Sequence, residues 1–294
     1  MRWRLWLLMT PALALLLAVF ALPLLHYLWL SGQAQTVLTG LVAKPVGLQQ
    51  WWRLWHDGRF WQDAWQTLRF AATSVGLEMV LGLAIALLLH QPLKGRASLR
   101  TISLLPWALP TTVMALAWRW IFNDPYGPIN QLLALLQLGP VPFLSDPALT
   151  WWATVAADTW KTTPFVALLL LAGLQAIPVD LYEAAALEGA NRWQSLRRIT
   201  LPLLTPYLLI ALLFRLAQAL GVFDLIQVLT GGGPAGSTES LAFYAYLNAM
   251  RFLDFGYSAT VMLGSFALLL LLCGGAALLW WWRPAARLQR QELR

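Results

Sequence analysis

Six stretches of this 294-residue chain stay apolar over about the ~20 residues a helix needs to cross the hydrocarbon core of a bilayer. They lie near 6–30, 68–90, 101–122, 151–176, 203–228 and 258–282. With 59% of residues hydrophobic and 11% charged, the composition argues against a water-soluble globule. The pattern predicts an all-α membrane protein with about six transmembrane helices.

The formal net charge is +7, yet the basic residues form no single stripe of the kind that tracks a nucleic-acid backbone. They recur in short clusters between the apolar runs: Arg2 and Arg4; Lys94, Arg96 and Arg100; Arg192, Arg197 and Arg198; Arg283, Arg287, Arg290 and Arg294. All of these fall on one side if the spans alternate. The opposite side carries Lys44, Arg53, Arg59 and Arg251 in longer stretches, with Asp57, Asp63, Asp124, Asp146, Glu239 and Asp254. The positive-inside bias then predicts cytoplasmic N- and C-termini. The first apolar run exceeds the ~7–15 residues of a signal-peptide core and is expected to be a retained span. Cys273, the single cysteine, lies in an apolar run and can form no internal disulfide.

Two segments fall on the side opposite the basic clusters. In 31–66, Trp51, Trp52, Trp55, Trp61 and Trp65 recur as in an amphipathic helix lying at the membrane interface, with sugar stacking the alternative use of the same rings. In 123–147, prolines flank a short apolar helix near 129–138, too short to cross.

Catalytic machinery is not evident. The chain contains no G-x-x-x-x-G-K-[ST], H-E-x-x-H or C-x-x-C, and His26, His56 and His90 stand in different segments. The glycine-rich "LTGGGPAGSTES" at 229–240 is followed by no lysine. Ser74, Ser103 and Ser265 lack a G-x-S-x-G frame, so no catalytic residue and no metal ligand is nominated.

Between the fourth and fifth runs stands "EAAALEGANRWQSLRRITLP", residues 183–202, the densest charge between two apolar stretches. Asp180 is expected to cap a helix with Glu183 in capping-box position, followed by strong helix formers. Gly189 permits a turn, Asn191 can cap again, and Arg192 to Arg198 predict a second short helix before Pro202 opens the next span. Such a rigid helix-turn-helix could pass a push from a soluble partner into the membrane; a solvated loop is the plainer reading.

The spacing of Glu183-Ala184-Ala185, Gly189, Ile199 and Leu201-Pro202 matches in full the "EAA" motif, and on it the chain resembles the inner-membrane permease subunits of binding-protein-dependent ABC importers. "DTWKTTPFVALLLLAGLQAIPVDLYEAA" (158–185) and "FDLIQVLTGGGP" (223–234) are similar to the first permease of carbohydrate importers of the maltose and glycerol-phosphate type. The resemblance runs from about residue 66 to 282. Residues 1–66 read from their own hydropathy as a first transmembrane helix with an external amphipathic segment, and the resemblance implies 67–294 as the core permease domain with its EAA loop at 178–202.

The resemblance further implies a multi-pass inner-membrane protein that is not itself an enzyme. Its partners would be a second homologous permease, a dimer of ATPase subunits that bind ATP and Mg, an extracytoplasmic solute-binding protein and membrane lipid, without nucleic acid. This chain would bind no cofactor. Glu183, Ala184, Ala185, Gly189, Ile199, Leu201 and Pro202 would form the cytoplasmic coupling element. Asp158, Lys161, Thr162 and Phe165, with Arg215, Gln218 and Ala219, would line the solute pathway.

Independently of the resemblance, Asp158, Lys161, Arg215 and Asp224 are ionisable groups in or near apolar runs, where burial requires a partner or a wet cavity. Asp158 and Lys161 are spaced to pair on one helix face. A structural ion pair and solute contact are both open. The expected cargo is a mono- or oligosaccharide or small glycoside, an osmolyte among them. Glycerol phosphate is the alternative, since an arginine suits an anionic solute, and a secondary transporter is the reading from another class.

Overall fold

A computed structural model describes residues 2–92 and 94–281, which leaves the basic cluster Arg283 to Arg294 outside the described residues. The chain is largely helical. Helix α1 (Arg2–Leu16) passes through a π-helical turn (Leu17–Ala21) into α2 (Leu22–Ser31). Then follow α3 (Gln49–His56), α4 (Gly58–His90), α5 (Arg96–Ala108), α6 (Thr111–Ile121), α7 (Pro128–Leu135) and α8 (Pro147–Gln175). The remainder is α9 (Asp180–Leu187), α10 (Arg192–Ser195), α11 (Leu201–Leu220), α12 (Asp224–Leu229), α13 (Leu241–Met250) and α14 (Phe255–Trp281). Among the described residues five helices are long and apolar enough to cross a membrane, or six if one bent pair counts as a span.

That bent pair corrects the expected run 101–122. Helices α5 and α6 meet at 88°, because Pro110 forces Leu109 into extended backbone (ψ 137°) and so ends the first helix. The run 203–228 is corrected at both ends. Its helix starts at Arg192, continuing through a π-helical turn (Leu196–Thr200) into α11, and stops at Leu220. After Gly221 the chain turns into the separate α12. The second short helix expected over 192–198 is therefore the foot of a span. Asp180 is also not a cap: the chain already turns at Pro178, Val179 takes the N-cap position, and Asp180 and Glu183 lie in the first turn, where carboxylates favour the helix dipole.

The chain divides into two compact units, one built from residues up to Ala64 with Leu241–Leu271, the other from Trp65–Ser240 and the end of α14. In the first, Leu54 and Phe60 pack with Leu241, Tyr244, Tyr257 and Val261, and a short hairpin pairs Gln33–Ala34 with Lys44–Pro45. Asp57 accepts hydrogen bonds from the hydroxyls of both Tyr244 (2.7 Å) and Tyr257.

In the second unit, α4, α8 and α11 enclose Ala86, Leu89, Val166, Leu170, Leu174, Leu204 and Ala211. The helices touch backbone to side chain: a Cβ on Gly82 would sit 2.6 Å from Val166 Cγ1, and one on Gly173 2.5 Å from the Tyr207 ring. Close approach over small residues is how helices associate where lipid supplies no hydrophobic drive. A further cluster joins Phe70, Met114, Trp151, Val155, Leu225 and Leu229 from α4, α6, α8 and α12.

Candidate functional site

Helices α4, α8 and α11 each send one ionisable side chain to a common point. Arg215 is 2% exposed and Glu78 0%. Arg215 Nε donates to Glu78 Oε2 at 2.5 Å, and Nη2 donates to Glu78 Oε1 at 2.9 Å and to Asp158 Oδ2 at 3.1 Å. Nη1 donates to Gln218 Oε1 at 2.7 Å, one turn further along α11. Four of the five guanidinium N–H groups are thus held by the chain itself. Thr162 Oγ1 lies 2.7 Å from Glu78 Oε1 and 2.6 Å from the Asp158 carbonyl, so its one proton bridges to either. An unpaired charge inside a membrane span costs at least a few kcal/mol, and this network offsets part of that cost.

A cavity of about 290 Å³ opens onto the cluster. Its wall takes Asp158, Lys161 and Thr162 from α8, Arg215 and Gln218 from α11, Trp107 from α5, Thr111 from α6 and the turn from Gly221 to Leu225. The tertiary breaks create this wall. The end of α5 leaves the Leu109 carbonyl without a helical partner, and Lys161 Nζ donates to it at 2.6 Å. The expected pairing of Asp158 with Lys161 gives way to this contact and to the Asp158–Arg215 ion pair.

Asp158, Lys161, Thr162, Arg215 and Gln218, all nominated from sequence, come together at the cavity. Phe165 and Ala219 do not line it. Phe165 stacks on Trp107, a lining residue (centroids 5.6 Å, interplanar angle 22°), and meets Phe214 edge-on at 6.2 Å. Ala219 is buried in the packing of α11. Sequence reasoning missed Glu78, Trp107, Thr111 and Phe223. A lone carboxylate inside the apolar run 68–90 was the available signal for Glu78. Among the described residues no group of three or more His, Cys, Asp or Glu is placed to hold a metal.

The second nominated site, around α9, is the reverse in character. Leu187 is 91% exposed, and Val179, Leu181 and Trp193 are exposed as well. Glu183 and Ala184 face solvent, and Ala185 is half-buried. Gly189 N–H bonds the Ala186 carbonyl and Ala190 N–H the Ala185 carbonyl, the paired hydrogen bonds of a Schellman end. Gly189 supplies the left-handed backbone (φ 80°) that this end demands. Asn191 then caps α10 in a reciprocal capping box with Gln194. Tyr182 OH lies 3.0 Å from Thr200 Oγ1, and Tyr182 and Ile199 pack against the α4–α8–α11 core. Leu201 and Pro202 form the first turn of α11. The turn is therefore stiff and tied to two long helices.

A family model described as "Binding-protein-dependent transport system inner membrane component" matches residues 78–281. The chain is 44% identical over 265 residues to the trehalose/maltose transport system permease protein MalF of Thermococcus litoralis, covering 90% of this chain and 89% of that protein. It is 36% identical to the sulfoquinovosyl glycerol transport system permease protein SmoG of Agrobacterium fabrum, covering 89% and 85% of the two chains. It is 37% identical to the trehalose transport system permease protein SugA of Mycobacterium tuberculosis, covering 86% and 81%. Among solved structures, a chain of a bacterial ABC transporter that imports the acidic polysaccharide alginate superposes with TM-score 0.82 at 23% identity, covering 94% of both chains. A chain of the MetNI methionine ABC transporter superposes with TM-score 0.53 at 22% identity over 78% of this chain and 94% of that one. These likenesses below a quarter identity speak for the fold alone. On the family match and the extent of its relatives, the chain belongs to the inner-membrane components of binding-protein-dependent transport systems.

Proposed function

We propose that this chain is the permease subunit through which an ABC importer passes a neutral sugar or small glycoside, with ATP and Mg bound by partner ATPase subunits and not by this chain. The observation that carries the reading is the cavity beside Arg215, a polar wall set against the Trp107 ring whose strongest cation is already neutralised from within. Sugars present C–H faces that suit such a ring and hydroxyls that suit Thr111, Gln218, Lys161 and Asp224. The names of the trehalose and trehalose/maltose relatives point to a neutral sugar, and that of SmoG to a glycoside bearing a sulfonate.

The glycerol-phosphate reading needs a free cationic fork, and Arg215 offers four of its five N–H groups to its own chain. A secondary transporter is disfavoured by membership of a family whose members work with a binding protein.

In the proposed assembly a second homologous permease completes the pathway and an extracytoplasmic binding protein delivers the solute. Helix α9 docks on the ATPase from the cytoplasmic face, Leu187 entering an apolar cleft and Glu183 meeting a basic group at its rim. The Schellman turn at Gly189 and the Tyr182–Thr200 contact pass the movement of the ATPase into α8 and α11.

The test is to purify the tagged chain in mild detergent, identify what co-purifies, and screen sugars, glycosides and glycerol phosphate for stimulation of ATP hydrolysis with the binding protein present. Co-purification of an ATPase and a second permease, with stimulation by one neutral sugar, is expected. Stimulation by glycerol phosphate alone would reassign the cargo.

A further inference from the structure

Glu78 does not line the cavity, yet it controls what the cavity can offer. Its two carboxylate oxygens take the Nε and Nη2 edge of Arg215 in the fork geometry that an incoming carboxylate, phosphate or sulfonate would otherwise use. Asp158 takes the remaining Nη2 proton and Gln218 one on Nη1. Lys161, the other cation on the wall, is turned to the Leu109 carbonyl. In formal charge the lining itself balances, Arg215 and Lys161 against Asp158 and Asp224, and Glu78 adds a further carboxylate behind it. An anionic solute would meet a wall with no excess of positive charge, whose buried arginine is already engaged, and desolvating it there would go uncompensated.

We propose that Glu78 is a specificity-determining residue: a built-in counter-ion that occupies the Arg215 fork from behind the cavity wall and so closes the pathway to anionic solutes. The inference rests on the reading of this cavity as the solute site. Glu78 acts through Arg215 and touches no solute, so it is a positioning residue. The helix face it holds is fixed by packing: Gly82, one turn along α4, abuts Val166, one turn along α8 from Thr162.

The test uses the complete transporter, with partner permease and ATPase subunits, and measures binding of trehalose and trehalose 6-phosphate by calorimetry in the absence of the binding protein. The wild-type complex is expected to prefer the neutral sugar. Glu78→Gln keeps the shape, removes the charge and replaces one of the two acceptor oxygens with a donor NH2, so one edge of the fork is released; it should raise affinity for the phosphate ester relative to trehalose by about 10- to 100-fold, the worth of one freed charge-assisted contact. Glu78→Asp should restore the wild-type preference. An unchanged ratio in an assembled Glu78→Gln complex overturns the proposal, since a purely structural role would alter assembly and not the ratio. If Glu78→Gln fails to assemble, Asp158→Ala removes the acceptor of one Nη2 proton with Glu78 in place. A smaller gain for the phosphate ester then supports the inference, and no gain overturns it. If the wild type binds neither compound and only Glu78→Gln binds the ester, the counter-ion role stands and the neutral-sugar reading falls.

Discussion

Arg215 and Leu187 reverse the usual placement of their chemistry: the guanidinium is 2% exposed and the hydrocarbon 91%. The two regions tolerate the reversal for different reasons. Around Arg215 the chain itself supplies partners for four of the five guanidinium N–H groups, so the charge is buried in a paired state. Around Leu187 it supplies none, and an exposed apolar side chain on a capped element is what the proposed docking on the ATPase would cover. One site is complete within this unit, and the other takes a partner on the proposed reading.

Breaking the internal site should have the largest effect. Glu78→Ala strands a buried guanidinium and should cost about 3 kcal/mol, read as a lower thermal midpoint of the purified chain in detergent. Glu78→Met with Arg215→Met should recover most of that loss, because both charges go together. If the double variant is as unstable as the single one, the pair is holding the helices and is not merely neutralised.

Breaking the external site should leave stability alone and strike association. Leu187→Asp is expected to weaken binding to the ATPase by about 2 kcal/mol, roughly 30-fold in Kd, with an unchanged thermal midpoint. Gly189→Pro should uncouple hydrolysis from transport, because proline cannot adopt the left-handed backbone at that position. Unimpaired uptake in this variant would remove the turn from the coupling role.

A smaller effect sharpens the internal site. Phe165→Ala should loosen Trp107 and raise the KM for uptake about fivefold, worth about 1 kcal/mol of aromatic packing, with assembly intact. Unchanged uptake kinetics would confine the aromatic pair to structure.

The smallest effect comes from the other unit, where a carboxylate is balanced by neutral groups. Burial pushes the Asp57 carboxyl up, but hydrogen bonds from Tyr257 and Tyr244 and from the backbone N–H groups of Arg59 and Phe60 outweigh it and hold the group below its usual 3.8. A folded value below the unfolded one gives stability that is present above about pH 3.8 and is lost as the pH falls through the folded value. Asp57→Asn should flatten that acid limb of the stability profile, measured by thermal unfolding between pH 3 and 6 or so.

Much of this was legible in the order of residues. Apolar runs announce spans because the bilayer is a solvent of fixed thickness, and the residues from Glu183 to Pro202 announce a turn because capping and left-handed backbone are local requirements. The failures also have local causes that length and hydropathy do not weigh. Pro110 bent a run that was long enough to cross, and the foot of α11 absorbed Arg192 to Arg198 into a span because no break separates them. The pairing of Asp158 with Lys161 failed because a stronger acceptor for the lysine, the bare Leu109 carbonyl, exists only once α5 has ended.

By itself the sequence determined that the chain is a bundle of membrane helices with an EAA turn, since each of those properties is set within a few consecutive residues. Only the tertiary structure decided which charges meet. A buried arginine must find an anion, but Glu78, Asp158 and Asp224 were all candidates, and the partner that took the guanidinium fork lies 137 residues away. That choice depends on how α4, α8 and α11 pack against one another, with Gly82 and Gly173 letting them close. No rule of spacing along the chain carries that information.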